Sequence, residues 1–350
     1  MSDSYLGENL IFVISQPRCG STLVQRILSG HQDIESSAET WLMLLPVYAS
    51  RENGLEAEYG HRWYLVARND FLDHYTDGRE VYDEAVREWA RVFYDNALKH
   101  SGGKIFIDKT PRYSLIIPEL KRLFPKARFV FLLRNPLAVF SSVMTSFVKG
   151  RPNVIPEFKT DLYDAPERIL EGIELFGNEA VVVRYEELVK EPEAIVMNLC
   201  RQLGIEFNSE MLDYSRTPEA KGFMTDRVGV NQRDQVTDES LNKWKSALDD
   251  PQLASWMSDY LGELGQDIVT RMGYNYDEMQ AEVKAEAKPG KNLLPWRIAK
   301  HPMDEMNLRQ LYGYSRWQQR QKTNAVSAEI ITFGLFLRES ARRLRDAFSA

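Results

Sequence analysis

The chain has 350 residues, 43% of them hydrophobic and 11% aromatic, enough for one large domain or two modest ones. Its formal net charge of −7 excludes a globally basic nucleic-acid binder, so an anionic ligand must be held by a local basic site in an acidic surface. The two cysteines, Cys19 and Cys200, have no metal-ligand or CxxC spacing, so neither a disulfide framework nor a metal site is expected and the default compartment is reducing. The first residues show no basic n-region followed by an apolar h-region, and no apolar run approaches the ~20 residues that span a bilayer. The expectation is a cytoplasmic, soluble chain.

Taken in order, Leu10 to Ile14 is an uninterrupted apolar run, and Leu23, Ile27 and Leu28 resume at helical spacing. Pro17, Arg18, Cys19, Gly20, Ser21 and Thr22 stand between them. This predicts strand, tight loop and helix. A helix start offers unpaired N–H groups and the positive end of its dipole. Gly20 lets backbone approach a ligand, Arg18 adds a fixed charge, and Ser21 and Thr22 add donors. Together they describe a cradle for a phosphate-like anion.

A loop with a short strand follows, through Ala38, Glu39, Thr40 and Trp41. Residues 42–100 are rich in aromatics, and Val81 to Lys99 has helical periodicity. Lys104 to Ile107 reads as a second strand, ending in Asp108, Lys109, Thr110 and Pro111. A helix through Leu120 leads to a third strand, Arg128 to Leu133. Asn135 with Pro136 behind it is a helix-start signal. Ala180 to Val183 is a fourth strand, and Glu193 to Leu203 a helix closed by Gly204. Continuous apolar strands alternating with helices mean a parallel sheet covered on both faces, an α/β architecture whose ligands bind at the carboxyl ends of the strands. Residues 211–235 read as loop, and a helical stretch begins near Lys243 and Trp244. Residues 279–291 are polar and end in Pro-Gly, a linker pattern. The expected division is a sheet domain over 1–275, then a linker and helical C-terminal extension over 276–350. Within the latter, Ile330 to Leu337 precedes Arg338, Arg342, Arg343 and Arg345. A helix of this kind can lie on a membrane surface; the plainer reading is that it packs on the domain or on a second copy.

The opening stretch is not a nucleoside-triphosphatase loop. Ser21 follows Gly20 where that pattern needs Lys, and the strand ending at Leu133 is followed by Arg134 rather than a Mg²⁺-holding Asp. Arg134, the helix start behind it and Ser142 form a second anion site. Two anion sites on one sheet suit a nucleoside carrying a phosphate at each end.

Pro17 to Leu23 resembles the 5′-phosphosulfate loop of sulfotransferases, and Arg134 with Ser142 resembles their 3′-phosphate motif. The resemblance is to the branch that contains the tyrosylprotein sulfotransferases and bacterial enzymes of similar type, with the P-loop-like sheet of that family, and it covers roughly residues 10–245. Ala38-Glu39-Thr40 matches the setting of that branch's catalytic base. Asp108-Lys109-Thr110-Pro111 matches that of its catalytic Lys. Arg184-Tyr185-Glu186-Glu187-Leu188 matches that of its nucleotide-contacting Tyr, and Lys243-Trp244 that of a Lys closing over the cofactor. Cys19 stands where Ser is usual, and the hydroxyl that the family places upstream of the late Lys has no clear counterpart.

The resemblance implies sulfuryl transfer from 3′-phosphoadenosine 5′-phosphosulfate (PAPS) to an acceptor hydroxyl, leaving adenosine 3′,5′-bisphosphate, with no metal required. Glu39 would be the base, Lys109 would neutralise the leaving oxygen, and Arg18 would serve both the reaction and cofactor binding. Arg18, Cys19, Gly20, Ser21, Thr22, Arg134, Ser142, Tyr185 and Lys243 would line the cofactor. Each has a plainer reading: Glu39 as a cap, Lys109 as a solvated loop residue, Arg134 paired with Glu119, His31 and His61 structural. The aromatics between Leu42 and Tyr94 favour a sugar or glycolipid acceptor, with a protein tyrosine or acyl-chain hydroxyl as the alternative. A P-loop kinase or a non-catalytic nucleotide-binding module is the reading of another class. Nucleic acid is not an expected partner.

Overall fold

The strands are β1 (Leu10–Ser15), β2 (Ile34–Ser36), β3 (Ile105–Lys109), β4 (Arg128–Leu133) and β5 (Val181–Arg184). They form one parallel sheet in the order β2-β3-β1-β4-β5 in the computed structural model, which describes residues 4–55, 57–75, 77–213, 240–289, 296, 312, 316 and 325–348. Parallel neighbours need crossovers, and helices supply them. α1 (Ser21–Ser29) follows β1. α2 (Leu44–Tyr48), α3 (His61–Tyr75) and α4 (Arg79–Ser101) separate β2 from β3. α5 (Ile117–Leu123) leads to β4, then α6 (Pro136–Val143) and α7 (Ala165–Phe176) lead to β5. α8 (Tyr185–Lys190) and α9 (Pro192–Leu203) follow it.

β1 sits at the centre and is buried along its whole length. Phe12 points to one face, where its ring lies 5.2 Å from that of Phe129, 5.6 Å from Phe124 and 6.0 Å from Tyr113. Phe106, Tyr94, Leu120, Phe131 and Ile169 extend this core across β3, β4, α4, α5 and α7. Side chains alternate along a strand, so the buried Ile11, Val13 and Ile107 belong to the other face, where α1 lies against β1, β2 and β3. β3 is longer than the sequence suggests. Asp108 and Lys109 are its last two residues, paired with Phe12 and Val13, rather than the start of a loop.

The cap expected at Asn135 is present: its Oδ1 accepts from Leu137 N at 2.9 Å and Ala138 N at 3.4 Å. After a 3-10 helix at Lys243–Asp249 come α10 (Pro251–Leu264), α11 (Gln266–Arg271) and α12 (Tyr276–Glu286). α12 corrects the first part of the linker expected over 279–291: residues 279–286 are helical, and 290 and 291 lie outside the described residues. Asn275 caps it, and Met279 and Val283, four residues apart, are buried where it contacts α10 and the 3-10 helix. Two apolar side chains at that spacing dock an otherwise polar helix. The loop expected over 211–235 lies outside the described residues from 214 onward.

The chain divides into two compact units, Met1–Gly150 with Thr160–Pro295, and Arg151–Lys159 with Trp296–Ala350. In the second, α13 (Ala325–Phe348) is a 24-residue helix. The Tyr312 hydroxyl donates to Glu329 at 3.1 Å, Arg316 pairs with the same carboxylate, and the Tyr312 ring meets Phe336 edge-on. Val326, Ile330, Phe333 and Leu337 of α13 are exposed. Among the described residues, no helix is long and apolar enough to cross a membrane.

Phe12→Ala removes the aromatic centre of the core. It should lower the free energy of unfolding by about 4 kcal/mol, measured by denaturant titration.

Candidate functional site

Three neighbouring strands end at the same edge of the sheet, and the residues singled out from the sequence sit at those ends. β1 ends at Ser15, and the chain turns into α1 through Gln16 to Gly20. The turn needs two left-handed residues, Arg18 at φ 67° and Gly20 at φ 94°. Only glycine fits the second: a Cβ there would lie 2.4 Å from Cδ2 of Tyr185. Backbone therefore comes close to the Tyr185 ring, and Ser21 and Thr22 open α1. The first turn of α1 holds no acidic residue, so its N–H groups and dipole present unopposed positive potential.

Arg18 and Arg134 are bound into this loop. Arg18 Nε donates to Ser142 Oγ at 3.0 Å, and its guanidinium stands 5.6 Å from the centre of the Phe147 ring. Arg134 Nη1 donates to the Arg18 carbonyl at 2.8 Å, and its guanidinium lies 4.1 Å over the Tyr185 ring. Arg134 does not pair with Glu119, which binds Arg51 at 2.6 Å. Arg134 Nε is buried with no hydrogen-bond partner among the described residues, a donor left for an anion. Ser240 was not identified from the sequence. Its hydroxyl lies 2.5 Å from that of Tyr185, and its carbonyl accepts from Arg134 Nη2 at 3.4 Å. Lys243 begins the 3-10 helix three residues later, with its side chain exposed. Glu186 braces the arrangement from behind, accepting from Asn135 N at 2.9 Å and from the Tyr274 hydroxyl at 2.7 Å.

The second group stands at the end of β3. Lys109, 4% exposed, donates to Glu39 Oε1 at 3.1 Å, and the Trp41 indole donates to Glu39 Oε2 at 3.1 Å. Glu39 is thus held through both oxygens while its side chain stays 17% exposed. Beside it, Arg112 pairs with the buried Asp161 at 3.0 Å, and the Asp161 carbonyl accepts from Gln16 Nε2 at 2.8 Å. That bond ties the anion loop to the Glu39 side of the site. Burial pushes the Asp161 carboxyl up to about 6; Arg112 pulls it down, and Glu39 and Asp164 add to the rise.

The remaining candidates have partners within the protein. His31 Nδ1 accepts from Asp33 N within its own loop, and His61 Nε2 bonds the Arg51 carbonyl. Cys19 is fully buried, its thiol pushed up to about 12 by burial, with Sγ 3.8 Å from Gln16 Oε1. It packs the loop and is not a nucleophile at neutral pH. Among the described residues, no group of three or more His, Cys, Asp or Glu side chains is placed to hold a metal ion.

Comparison with known proteins gives a consistent picture. A protein-family model described as the sulfotransferase family matches residues 10–209. The chain is 24% identical over 357 residues to nodulation protein NoeE of Sinorhizobium fredii (strain NBRC 101917 / NGR234), covering 93% of this chain and 82% of that one. It is 24% identical over 270 residues to a putative protein-tyrosine sulfotransferase of Caenorhabditis briggsae, covering 74% and 90%. Among solved structures, the sulfotransferase domain from the curacin biosynthetic pathway superposes with a TM-score of 0.49 at 20% identity, covering 76% of this chain and 97% of that domain.

The buried Asp161 gives a pH signature. Its folded-state value lies above that of an ordinary Asp, so its contribution to stability is fully present below about pH 4 and is lost as pH rises through 6. Asp161→Asn lacks this dependence. Its stability relative to the parent should therefore rise between pH 4 and 7 by about 3 kcal/mol, read from denaturant unfolding at a series of pH values.

Proposed function

The chain belongs to the sulfotransferase family, and we propose that it transfers a sulfuryl group from PAPS to a hydroxyl of a carbohydrate or glycolipid, with Glu39 as base. One observation carries this reading. Two arginines and a helix start converge on one loop, and a carboxylate–ammonium pair stands at the end of the adjacent strand. The unpartnered Arg134 Nε and the backbone approach at Gly20 suit a nucleotide carrying two anionic groups. Arg18, Ser21, Thr22 and the N–H groups around Gly20 would hold the 5′-phosphosulfate. Arg134 and Ser142 would hold the 3′-phosphate. Tyr185, Ser240 and Lys243 would close along the nucleoside. When bound, the donor supplies a sulfuryl group on a phosphate leaving group.

The chain's own residues account for the rest. A carboxylate has about four acceptor positions, and Lys109 and the Trp41 indole occupy two of those on Glu39. Room remains for the proton of an acceptor hydroxyl. Lys109 offers its charge where negative charge develops on oxygen, inside a buried site where such an interaction is strong. The acid–base pair is held in place before any ligand arrives, so positioning rather than covalent chemistry supplies the rate.

The carbohydrate acceptor rests on Trp41, which is 41% exposed beside Glu39, and on the exposed rings of Tyr59, Trp63, Phe71 and Tyr75 in and before α3. Flat exposed aromatics suit stacking on sugar faces. Similarity to a putative protein-tyrosine sulfotransferase supports a protein tyrosine as the second reading.

Calorimetry should show binding of adenosine 3′,5′-bisphosphate and none of Mg-ATP; binding of Mg-ATP alone would reject the donor assignment. Glu39→Gln should keep affinity for the bisphosphate while turnover falls by about 10²-fold or more. Arg134→Ala should weaken binding of the bisphosphate far more than binding of adenosine 5′-phosphosulfate. Assayed side by side, oligosaccharide and glycolipid acceptors should outrun a tyrosine peptide; the reverse order selects the second reading.

A further inference from the structure

Asp108 is fully buried, yet among the described residues no cation pairs with it. Four hydroxyl groups do. Oδ2 accepts from Thr40 Oγ1 at 2.7 Å, from the Tyr94 hydroxyl at 2.8 Å and from the Tyr113 hydroxyl at 2.9 Å. Oδ1 accepts from Thr110 Oγ1 at 3.2 Å. Three of these oxygens are themselves acceptors. Thr110 Oγ1 receives Trp41 N at 3.3 Å, Thr40 Oγ1 receives Leu42 N at 3.1 Å, and the Tyr113 hydroxyl receives Met43 N at 3.1 Å. Three consecutive backbone amides of the turn after Glu39 therefore run through hydroxyls to one carboxylate. The turn needs that support, because Trp41 is a non-glycine residue at φ 53°.

Strand geometry explains the purpose. Asp108 and Lys109 are successive residues of β3, so their side chains leave opposite faces of the sheet. Glu39 and Thr40 are successive as well, and they meet the two in order, Glu39 on Lys109 and Thr40 on Asp108. The turn straddles the end of the strand and is gripped on both sides.

We propose that Asp108 is a positioning residue for Glu39, a buried carboxylate that fixes, through the hydroxyls of Thr40, Thr110 and Tyr113, the turn that aims the base. This rests on the reading of Glu39 as base. A carboxylate is needed because all four contacts are donors. An amide oxygen has two acceptor positions, and its NH₂ would add donors where the hydroxyls already donate.

The test is a double-mutant cycle combined with amide hydrogen exchange on the full chain. Asp108→Asn should speed exchange of the 41–43 amides at least tenfold. It should lower kcat at least tenfold, while affinity for adenosine 3′,5′-bisphosphate and KM for the donor stay within twofold. In the Glu39→Gln background it should lower kcat no further, since coupled residues are not additive. Thr40→Val should act in the same direction and Thr40→Ser should restore turnover; this pair carries the test if Asp108→Asn does not fold. Unchanged exchange at 41–43, an equal fold-loss of kcat in both backgrounds, or a parallel fall in bisphosphate affinity overturns the proposal. Full turnover in Glu39→Gln alone rejects the base reading. Faster exchange in Asp108→Asn would then mark a turn anchor without catalytic consequence, which also overturns it.

Discussion

The site depends on the register in which β3, β1 and β4 lie side by side. Lys109 is opposite Val13, and Ser15 is opposite Leu132. With strands about 4.8 Å apart, β3 ends two residues short of β1 and β4 one residue beyond it, and the chain leaves all three at the same edge of the sheet. A slip of β3 by one residue would exchange the faces of Asp108 and Lys109. An ammonium would then enter the face lined by Tyr94, Tyr113 and Phe12, and a carboxylate would face Glu39. The aromatic packing around Phe12 therefore protects the placement of charge as well as the core.

Charges at this edge are held in contrasting ways. Taking an ion out of water costs several kcal/mol unless partners replace the solvent. Lys109 has a counter-ion in Glu39. Arg134 has a carbonyl and the face of a ring. Asp161 has Arg112, whose side chain reaches solvent, and burial still raises its carboxyl to about 6. Among the described residues, Asp108 has only neutral donors; burial raises it too, while four hydrogen bonds pull the other way. Neutral partners cannot be drawn off by an arriving anion as a counter-ion can. The carboxylate with neutral partners is thus the one bonded to the turn, and Glu39, paired with a cation, stands beside it.

Much of this was legible in the sequence where the signal is local. The run from Leu10 to Ile14, the Gly20 turn and the Asn135-Pro136 helix start each declare themselves within a few residues, and each is found where expected. α12 was not legible as a helix, because its composition is that of a linker and only Met279 and Val283 give it an apolar stripe. The support of Glu39 was not legible for another reason. Asp108 draws Thr40 from 68 positions upstream and Tyr94 from 14, and nothing in either neighbourhood announces the pairing. Asp161 and Ser240 are hidden in the same way: each acts through residues brought near only by the sheet.

Cys19 carries a practical consequence. With its thiol raised to about 12, only about one molecule in 10⁵ is thiolate at pH 7, and the sulfur is sealed from solvent. Cys200 is also buried and raised, to about 11. Alkylating agents therefore have no exposed thiol to attack in the folded chain, and the thiol of the loop that would cradle the donor is shielded as long as the loop stays closed. Cys19 is at the same time a native reporter. The rate at which it takes up a thiol label measures how often the loop opens, without any foreign group having to be introduced.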